Sequence, residues 1–87
     1  MIYVAAWSYT PENVRSIIAR FKETGGLPPA GVKLLGRWHG VGTNKGVVVV
    51  ESDDPVTMAK YLNGWADLAS FDVYPALTDE DVAKSLL

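Results

Sequence analysis

Four consecutive valines, Val47 to Val50, limit what this chain can fold into more than any other feature of its sequence. Valine favours strands, and side chains along a strand point alternately to its two faces. Two of these valines must therefore face one layer and two the opposite layer. A sheet covered by helices on one face usually leaves the other face wet and polar. The sequence thus predicts that something also covers the second face of this strand.

The first predicted strand, residues 2–9, has the same property. Its apolar side chains alternate, with Ile2, Val4 and Ala6 on one face and Tyr3, Ala5 and Trp7 on the other. Left uncovered, two such strands would expose more apolar surface than the few hundred Å² that are usual for a monomer. A second copy related by a two-fold axis is the simplest cover. We therefore expect a homodimer that forms through the open face of the sheet.

The order of elements indicates the fold class. Helix-start signals, a capping residue followed by proline, occur at Thr10-Pro11 and Asp54-Pro55, and Thr78 caps a short third helix. Right-handed crossovers put the two longer helices on the same side of the sheet. The chain is predicted to be a single ferredoxin-like α+β domain over residues 1–87, β-α-β-β-α-β, with a four-stranded antiparallel sheet and a short C-terminal helix. The predicted strands are residues 2–9, 32–39, 47–51 and 70–77, and Pro75 indicates an edge position or a bulge for the last of them.

Composition excludes several kinds of chemistry. The 87 residues include no cysteine and one histidine, which rules out disulfides, iron–sulfur clusters, thiol nucleophiles and His-rich metal sites. We therefore expect no cofactor and no metal. Apolar residues make up 48 % of the chain and charged residues 21 %, as in a folded globular domain.

Charge is unevenly distributed along the chain. Residues 1–50 carry a net +4 and residues 51–87 a net −6, for a total of −2. A nucleic-acid footprint in the first half is one interpretation, but the basic residues are dispersed and the whole chain is acidic, which favours solvated faces instead. No apolar stretch of about 18 residues exists to span a membrane. We expect a soluble cytoplasmic protein without nucleic-acid or membrane partners.

Several segments resemble a known family and superfamily. KLLGRWH at 33–39, VVVVESDD at 47–54, WAD at 65–67 and FDVYPALTDE at 71–80 resemble a family of short bacterial proteins known only as a domain of unknown function. The element order and the doubly apolar sheet also resemble the dimeric α+β barrel superfamily. Relatives in that superfamily include cofactor-independent oxygenases, haem-degrading enzymes, isomerases and ligand-sensing modules. The resemblance implies the fold and the dimer, and fold alone does not select one of these activities.

His39 is the candidate catalytic residue, because histidine is the side chain that most readily exchanges protons near neutral pH. It ends the second predicted strand just before a glycine-rich turn. A strand end beside a barrel mouth suits a general base. No carboxylate or cysteine stands nearby at ligand spacing, so a metal site is not predicted. The alternative is a structural histidine that hydrogen-bonds a loop or a partner subunit.

Aromatic rings with polar groups could line a pocket for a small apolar ligand, although such rings are more commonly core or interface residues. Regular alternation on the second strand puts Leu34 and Trp38 on one face and Arg37 and His39 on the other. If that second face lines the barrel, Arg37 and His39 would meet an anionic ligand, and if it faces the helices this geometry is lost. The candidate ligand-binding residues are Trp7, Tyr9, Arg37, Trp38, Asn44 and Trp65.

Three functional hypotheses remain open. In the first, the chain is a small dimeric barrel that binds a mainly apolar molecule or serves as an interaction module. In the second, it is a cofactor-independent oxygenase or isomerase for an aromatic or polyketide-like substrate, with His39 as base and Arg37 or Asn44 holding an oxyanion. In the third, it is a regulatory subunit that docks on another protein. A closed interior pocket of about 300 Å³ or more that contains His39 would favour a binder or an enzyme.

Overall fold

Four strands and three helices make up the computed structural model, which describes residues 1–87. The elements are β1 (Ile2–Ser8), α1 (Val14–Thr24), β2 (Lys33–His39), β3 (Lys45–Glu51), α2 (Pro55–Asn63), β4 (Ser70–Ala76) and α3 (Asp79–Ser85). The predicted ferredoxin-like β-α-β-β-α-β order is confirmed. The strands form one antiparallel sheet in the order β2-β3-β1-β4, so β3 and β1 occupy its centre.

The helix starts follow the capping signals in two of three cases. The carboxylate of Asp54 accepts hydrogen bonds from the Val56 amide at 3.0 Å and from the Thr57 hydroxyl at 2.7 Å. The hydroxyl of Thr78 accepts one from the Asp81 amide at 3.2 Å. The side chain of Thr10 makes no such bond, because residues Pro11–Asn13 form a 3₁₀ turn before α1 begins. This turn is closed by the backbone, with the amide of residue 13 bonded to the carbonyl of residue 10 at 3.0 Å.

The hydrophobic core lies between the sheet and the helices, and it is small. Ala5, Val48 and Val50 project from β1 and β3 toward the helices, where they meet Met58 and Tyr61 of α2. Only 8 of the 87 residues are buried, and Val50 is the one large side chain with no exposed surface. The helices therefore cover one face of the central strands, but few side chains are fully buried between the two layers.

A bulge in β2 changes which of its side chains share a face. Leu34 pairs with Val50, but Gly36 pairs with Val49, so one residue of β2 has no partner. Leu34 consequently faces the helices together with Arg37 and His39, and Trp38 points to the opposite side. The expectation that Leu34 and Trp38 share a face is wrong, because it assumed a regular strand. The edge position predicted from Pro75 is confirmed, since β4 pairs only with β1.

The face of the sheet opposite the helices, called the open face below, carries apolar side chains on all four strands. Val49 pairs with Val4, and Val4 pairs with Tyr74 on β4. Tyr74 is 50 % exposed and Trp38 on β2 is 59 % exposed. Val47 lies between Trp38 and β1 in the same layer. No helix of the chain covers this surface.

The C-terminal helix α3 stands apart from the rest of the domain. All of its residues are exposed, including Val82, and Leu86 just beyond it is 79 % exposed. Its hydrogen bonds and ion pairs all lie within residues 78–87. A helix of seven residues is not stable in water without packing. The helix thus presents a second uncovered apolar surface.

Replacing the most buried core residue tests how much the small core contributes. Val50→Ala removes two methyl groups from a site with no exposed surface, so we expect the free energy of unfolding to fall by about 2 kcal/mol. Urea denaturation followed by circular dichroism measures the change. Val41→Ala is the matched control, since Val41 is fully exposed and its truncation should cost less than about 0.5 kcal/mol. Equal losses in the two variants would contradict this assignment of the core.

Candidate ligand-binding cavity

A cavity of about 360 Å³ lies between the sheet and the helices. Its floor is a row of side chains across the sheet, in which His39 of β2 and Trp7 of β1 lie on either side of Gly46, and Trp7 is followed by Phe71 of β4. The core residue Val48 continues the floor toward α2. The cavity is open to solvent on one side, so it is a cleft rather than a sealed void.

The roof and walls of the cavity are supplied by the helices. Ile17, Ile18 and Phe21 come from one stripe of α1, which the i, i+1, i+4 spacing puts on the same face of the helix. Leu62 of α2 and Trp65, in the segment that leads from α2 to β4, also line the cavity. Both helices therefore contribute apolar side chains to the same space.

The absence of a side chain at Gly46 shapes the floor. A Cβ atom at this position would collide with the indole of Trp7 and with the backbone of Trp38. The Trp7 ring can therefore lie against the β3 backbone, next to His39. Their ring centroids are 5.4 Å apart, with the ring planes at 66°. A glycine at this position lets two aromatic rings share one end of the cavity.

His39 is held by ring contacts and not by hydrogen bonds. Its imidazole packs edge-on against Phe21 of α1, with a centroid distance of 5.7 Å, as well as against Trp7. No side-chain hydrogen bond joins His39 to another residue. The residue is exposed at the mouth of the cavity. Both ring nitrogens are thus free to bond to water or to a ligand.

Arg37 links the sheet to the end of α1. Its Nη1 and Nη2 atoms donate to the carbonyls of Gly26 at 2.7 Å and Gly25 at 3.1 Å, and the guanidinium carbon lies 4.9 Å from the centroid of the Phe21 ring. The hydroxyl of Tyr61 donates to the same Gly26 carbonyl at 3.1 Å. Burial raises the pKa of the Tyr61 phenol, and the nearby Arg37 charge opposes part of that shift. Tyr61 is therefore a neutral hydrogen-bond donor near neutral pH.

An ion pair fixes the segment that carries Trp65. Arg20 of α1 donates from Nη1 and Nη2 to the two carboxylate oxygens of Asp67, at 2.7 and 2.9 Å, and from Nη1 to the Gly64 carbonyl at 2.8 Å. Its guanidinium carbon lies 5.6 Å from the centroid of the Trp65 ring. The hydrogen bond from Arg20 lowers the pKa of Asp67 below its ordinary value of 3.8. This pair ties α1 to the wall of the cavity across its exposed side.

The structure brings together most, but not all, of the residues singled out from the sequence. Trp7, Tyr9, Arg37, His39 and Trp65 line the cavity. Trp38 and Asn44 do not: the first lies on the open face, and the second lies in the β2–β3 connection, where its carbonyl accepts the Tyr9 amide at 3.1 Å. Roles in ligand binding or catalysis stay predictions for all seven.

The position of the cavity differs from the one considered on the sequence. Arg37 and His39 face the helices, so they cannot meet a ligand inside a barrel formed between two sheets. The cavity itself lies on the helix side, and both side chains line it there. It has the volume that the sequence analysis asked of a binding pocket and contains His39, but it is open to solvent and not the closed pocket of that criterion. Lys22 and Phe71 also line the cavity and were not identified in the sequence analysis. Phe71 had a detectable signal in the alternation of β4, whereas nothing in the sequence distinguishes Lys22 from other exposed lysines.

The lining of the cavity is mostly apolar. Aromatic and aliphatic side chains dominate it, and its charged or titratable members are cationic groups, histidine and tyrosine. No three histidine or acidic side chains lie close enough together to hold a metal ion. The longest helix has eleven residues, and none is long and apolar enough to cross a membrane.

Fold and cavity together define a small α+β domain with ferredoxin-like topology and a cleft between its two layers. Within that class, the chain belongs to the family described as Domain of unknown function (DUF3303), whose model matches residues 1–87. The resemblance to a family of unknown function is thereby confirmed. A comparison with curated proteins finds no match.

Removing the carboxylate of Asp67 is expected to lessen the pH dependence of stability. The pKa of Asp67 is lowered in the folded chain, so its ion pair stabilises the fold fully above the ordinary value of 3.8. That contribution is lost as the pH falls through the lowered pKa that Asp67 has in the folded chain. Asp67→Asn should therefore unfold at lower urea concentration near pH 7 and lose less further stability between about pH 5 and pH 2.

The control is Glu12→Gln, which changes an exposed acidic residue that makes no ion pair and lies away from the open face. Urea midpoints at several pH values compare the two variants with the wild type. Some acid sensitivity should survive in Asp67→Asn, because Thr57 and the Val56 amide also lower the pKa of Asp54. An unchanged pH profile in Asp67→Asn would show that the ion pair does not contribute in solution.

Proposed function

We propose that this protein binds a small, mainly apolar molecule in the cleft between its sheet and its helices. The observation that carries the proposal is the cavity of about 360 Å³ itself, which falls within the range of small-molecule sites. A chain with so few buried residues would gain stability by filling this space with its own side chains. It instead surrounds the space with Trp7, Phe21, Trp65 and Phe71, whose rings offer flat apolar surfaces.

A non-enzymatic binding role has the most direct support. Ring contacts position His39, and no carboxylate orients its imidazole as in catalytic pairs. An interaction module without a ligand would not require an open cleft lined by aromatic rings. A cytoplasmic location remains part of the proposal and rests on the sequence expectations alone.

The alternative is a cofactor-independent oxygenase or isomerase with His39 as base. One observation favours it: both ring nitrogens of His39 are free and accessible at the mouth of an apolar cleft. A base needs such access to the proton that it removes. Asn44 lies outside the cleft, so Arg37 would be the group nearest to a developing oxyanion.

The protein is further proposed to act as a homodimer through the open face. The accessible surface of the chain is 6001 Å², whereas a compact monomer of 9.4 kDa is expected to expose about 5,000 Å². The excess of about 1,000 Å² is comparable with the roughly 800 Å² that each partner buries in a stable interface. Burying Val4, Val49, Trp38 and Tyr74 against a second copy would cover the apolar side chains of the open face.

Binding is tested with naphthalene-2-methanol, a neutral aromatic probe. The indole N–H signals of ¹⁵N-labelled protein report on the cavity, because Trp7 and Trp65 line it and Trp38 lies on the opposite face. We expect the first two signals to move and the third to stay, with a Kd on the order of a millimolar or tighter for a probe of this size. Equal shifts in all three signals, or none, would contradict a specific cleft site.

The His39→Gln variant tests the contribution of His39 in the same titration. Glutamine keeps a hydrogen-bonding side chain but loses the aromatic contacts and the basic nitrogen. We expect a weaker affinity for the probe, because the imidazole lines the cavity beside Trp7. An unchanged affinity would show that His39 is not part of the binding site.

Val49→Asp tests the dimer interface. Val49 is on the open face, so a carboxylate there would be buried without a partner on dimerisation, and we expect a folded monomer in sedimentation velocity. Val49→Thr keeps the shape of the side chain and should remain dimeric. Val48→Asp serves as the contrast, because Val48 is 3 % exposed on the helix side and the substitution should unfold the chain. A dimer that survives Val49→Asp unchanged would rule out this interface.

A further inference from the structure

We infer that the ligand of the cleft is an anion: a small aromatic or otherwise apolar acid whose charged group is held by the cations of the lining, Arg37 and Lys22. This inference rests on the proposed binding function and specifies the ligand class. Its basis is the distribution of charge around the cleft, which differs from that of the chain as a whole.

Every ionic group in the lining is basic. Lys22 and Arg37 line the cleft together with His39, and no aspartate or glutamate does so, although the chain has 10 acidic residues and a net charge of −2. An apolar cleft concentrates the field of such charges and attracts an anion. A neutral or cationic ligand would gain nothing from this arrangement.

The two permanent cations also lack acidic partners within the protein. The ion pairs of the structure involve the N-terminus, Arg20 and Lys84, and none involves Lys22 or Arg37. The contrast with Arg20 is informative, since that arginine extends from the same end of α1 and is satisfied by Asp67. The cations of the cleft have no such counter-charge.

Arg37 has donors to spare for a ligand. It gives one N–H to the Gly26 carbonyl and one to the Gly25 carbonyl, and a guanidinium carries five N–H bonds. The carbonyl bonds and the Phe21 ring hold the group in place, so little side-chain freedom is lost on binding. An acid whose rings pack among Trp7, Phe21 and Trp65 would bring its carboxylate to a guanidinium already in position.

The experiment compares three probes that share one ring system and differ in charge at pH 7. Naphthalene-2-carboxylate is anionic, naphthalene-2-methanol is neutral and naphthalene-2-methylamine is cationic. We expect the carboxylate to bind at least about tenfold tighter than the alcohol, since charge-assisted hydrogen bonds are roughly twice as strong as neutral ones. The amine should bind more weakly than the alcohol. The preference for the carboxylate should shrink as salt is raised from about 0.05 to 0.5 M.

Two variants in the cleft and one control outside it assign the preference to the cleft. Lys22→Met should weaken carboxylate binding severalfold and reduce the ratio of carboxylate to alcohol affinity, whereas Lys60→Met, at an exposed lysine of α2 outside the cleft, should change neither affinity. Arg37→Met should abolish the preference, and its folding is checked by circular dichroism. Lys22→Met keeps the test valid if Arg37→Met unfolds, because Lys22 is exposed and makes no structural bond.

The outcomes distinguish the inference from the function on which it rests. If the alcohol or the amine binds as tightly as the carboxylate, the inference is wrong and the cleft remains a binding site for neutral molecules. If none of the three probes moves the indole signals of Trp7 and Trp65, the binding function fails and the anion preference fails with it. An anion preference that Lys22→Met and a folded Arg37→Met both leave intact would also overturn the inference.

Discussion

Apolar side chains on both faces of β1 and β3 are the constraint on which the rest of the structure depends. One set, Ala5, Val48 and Val50, packs against α2 and forms the core. The other set, represented by Val4 and Val49, forms the centre of the open face. Because side chains alternate strictly along these strands, no rearrangement within one chain can bury both sets under two helices. The uncovered open face is the direct consequence of this pattern.

The cleft follows from how little the helices add to that core. Met58 and Tyr61 of α2 pack closely on the sheet, but the side chains of α1 do not close the space above Trp7 and Phe71. Arg37 holds the end of α1 through the carbonyls of Gly25 and Gly26, and Arg20 holds the segment around Trp65 through Asp67. Two arginines thus connect the C-terminal half of α1 to β2 and to the segment that follows α2.

Much of this fold could be predicted from local patterns. The valine run identified a central strand, Asp54 and Thr78 marked helix starts, and Pro75 marked an edge strand, because each signal depends on a few neighbouring residues. The faces of β2 could not be predicted, since one unpaired residue near Leu35 reverses the alternation that follows it. The side of the sheet on which Arg37 and His39 lie, and the inclusion of Lys22 in the cleft, depend on how distant elements pack. No pattern within a single sequence carries that information.

The walls of the cleft and the hydrophobic core share residues, among them Val48 and Tyr61. The molecule that we propose for the cleft would therefore complete the interior of the protein as well as occupy a site. By binding only the folded chain, it would add RT ln(1 + [L]/Kd) to the free energy of unfolding, about 2.7 kcal/mol at a hundredfold excess over Kd. In a domain with so small a core, this would be a large fraction of the total free energy of unfolding. Resistance to heat and to proteases would then report how much of that molecule is present in the surroundings.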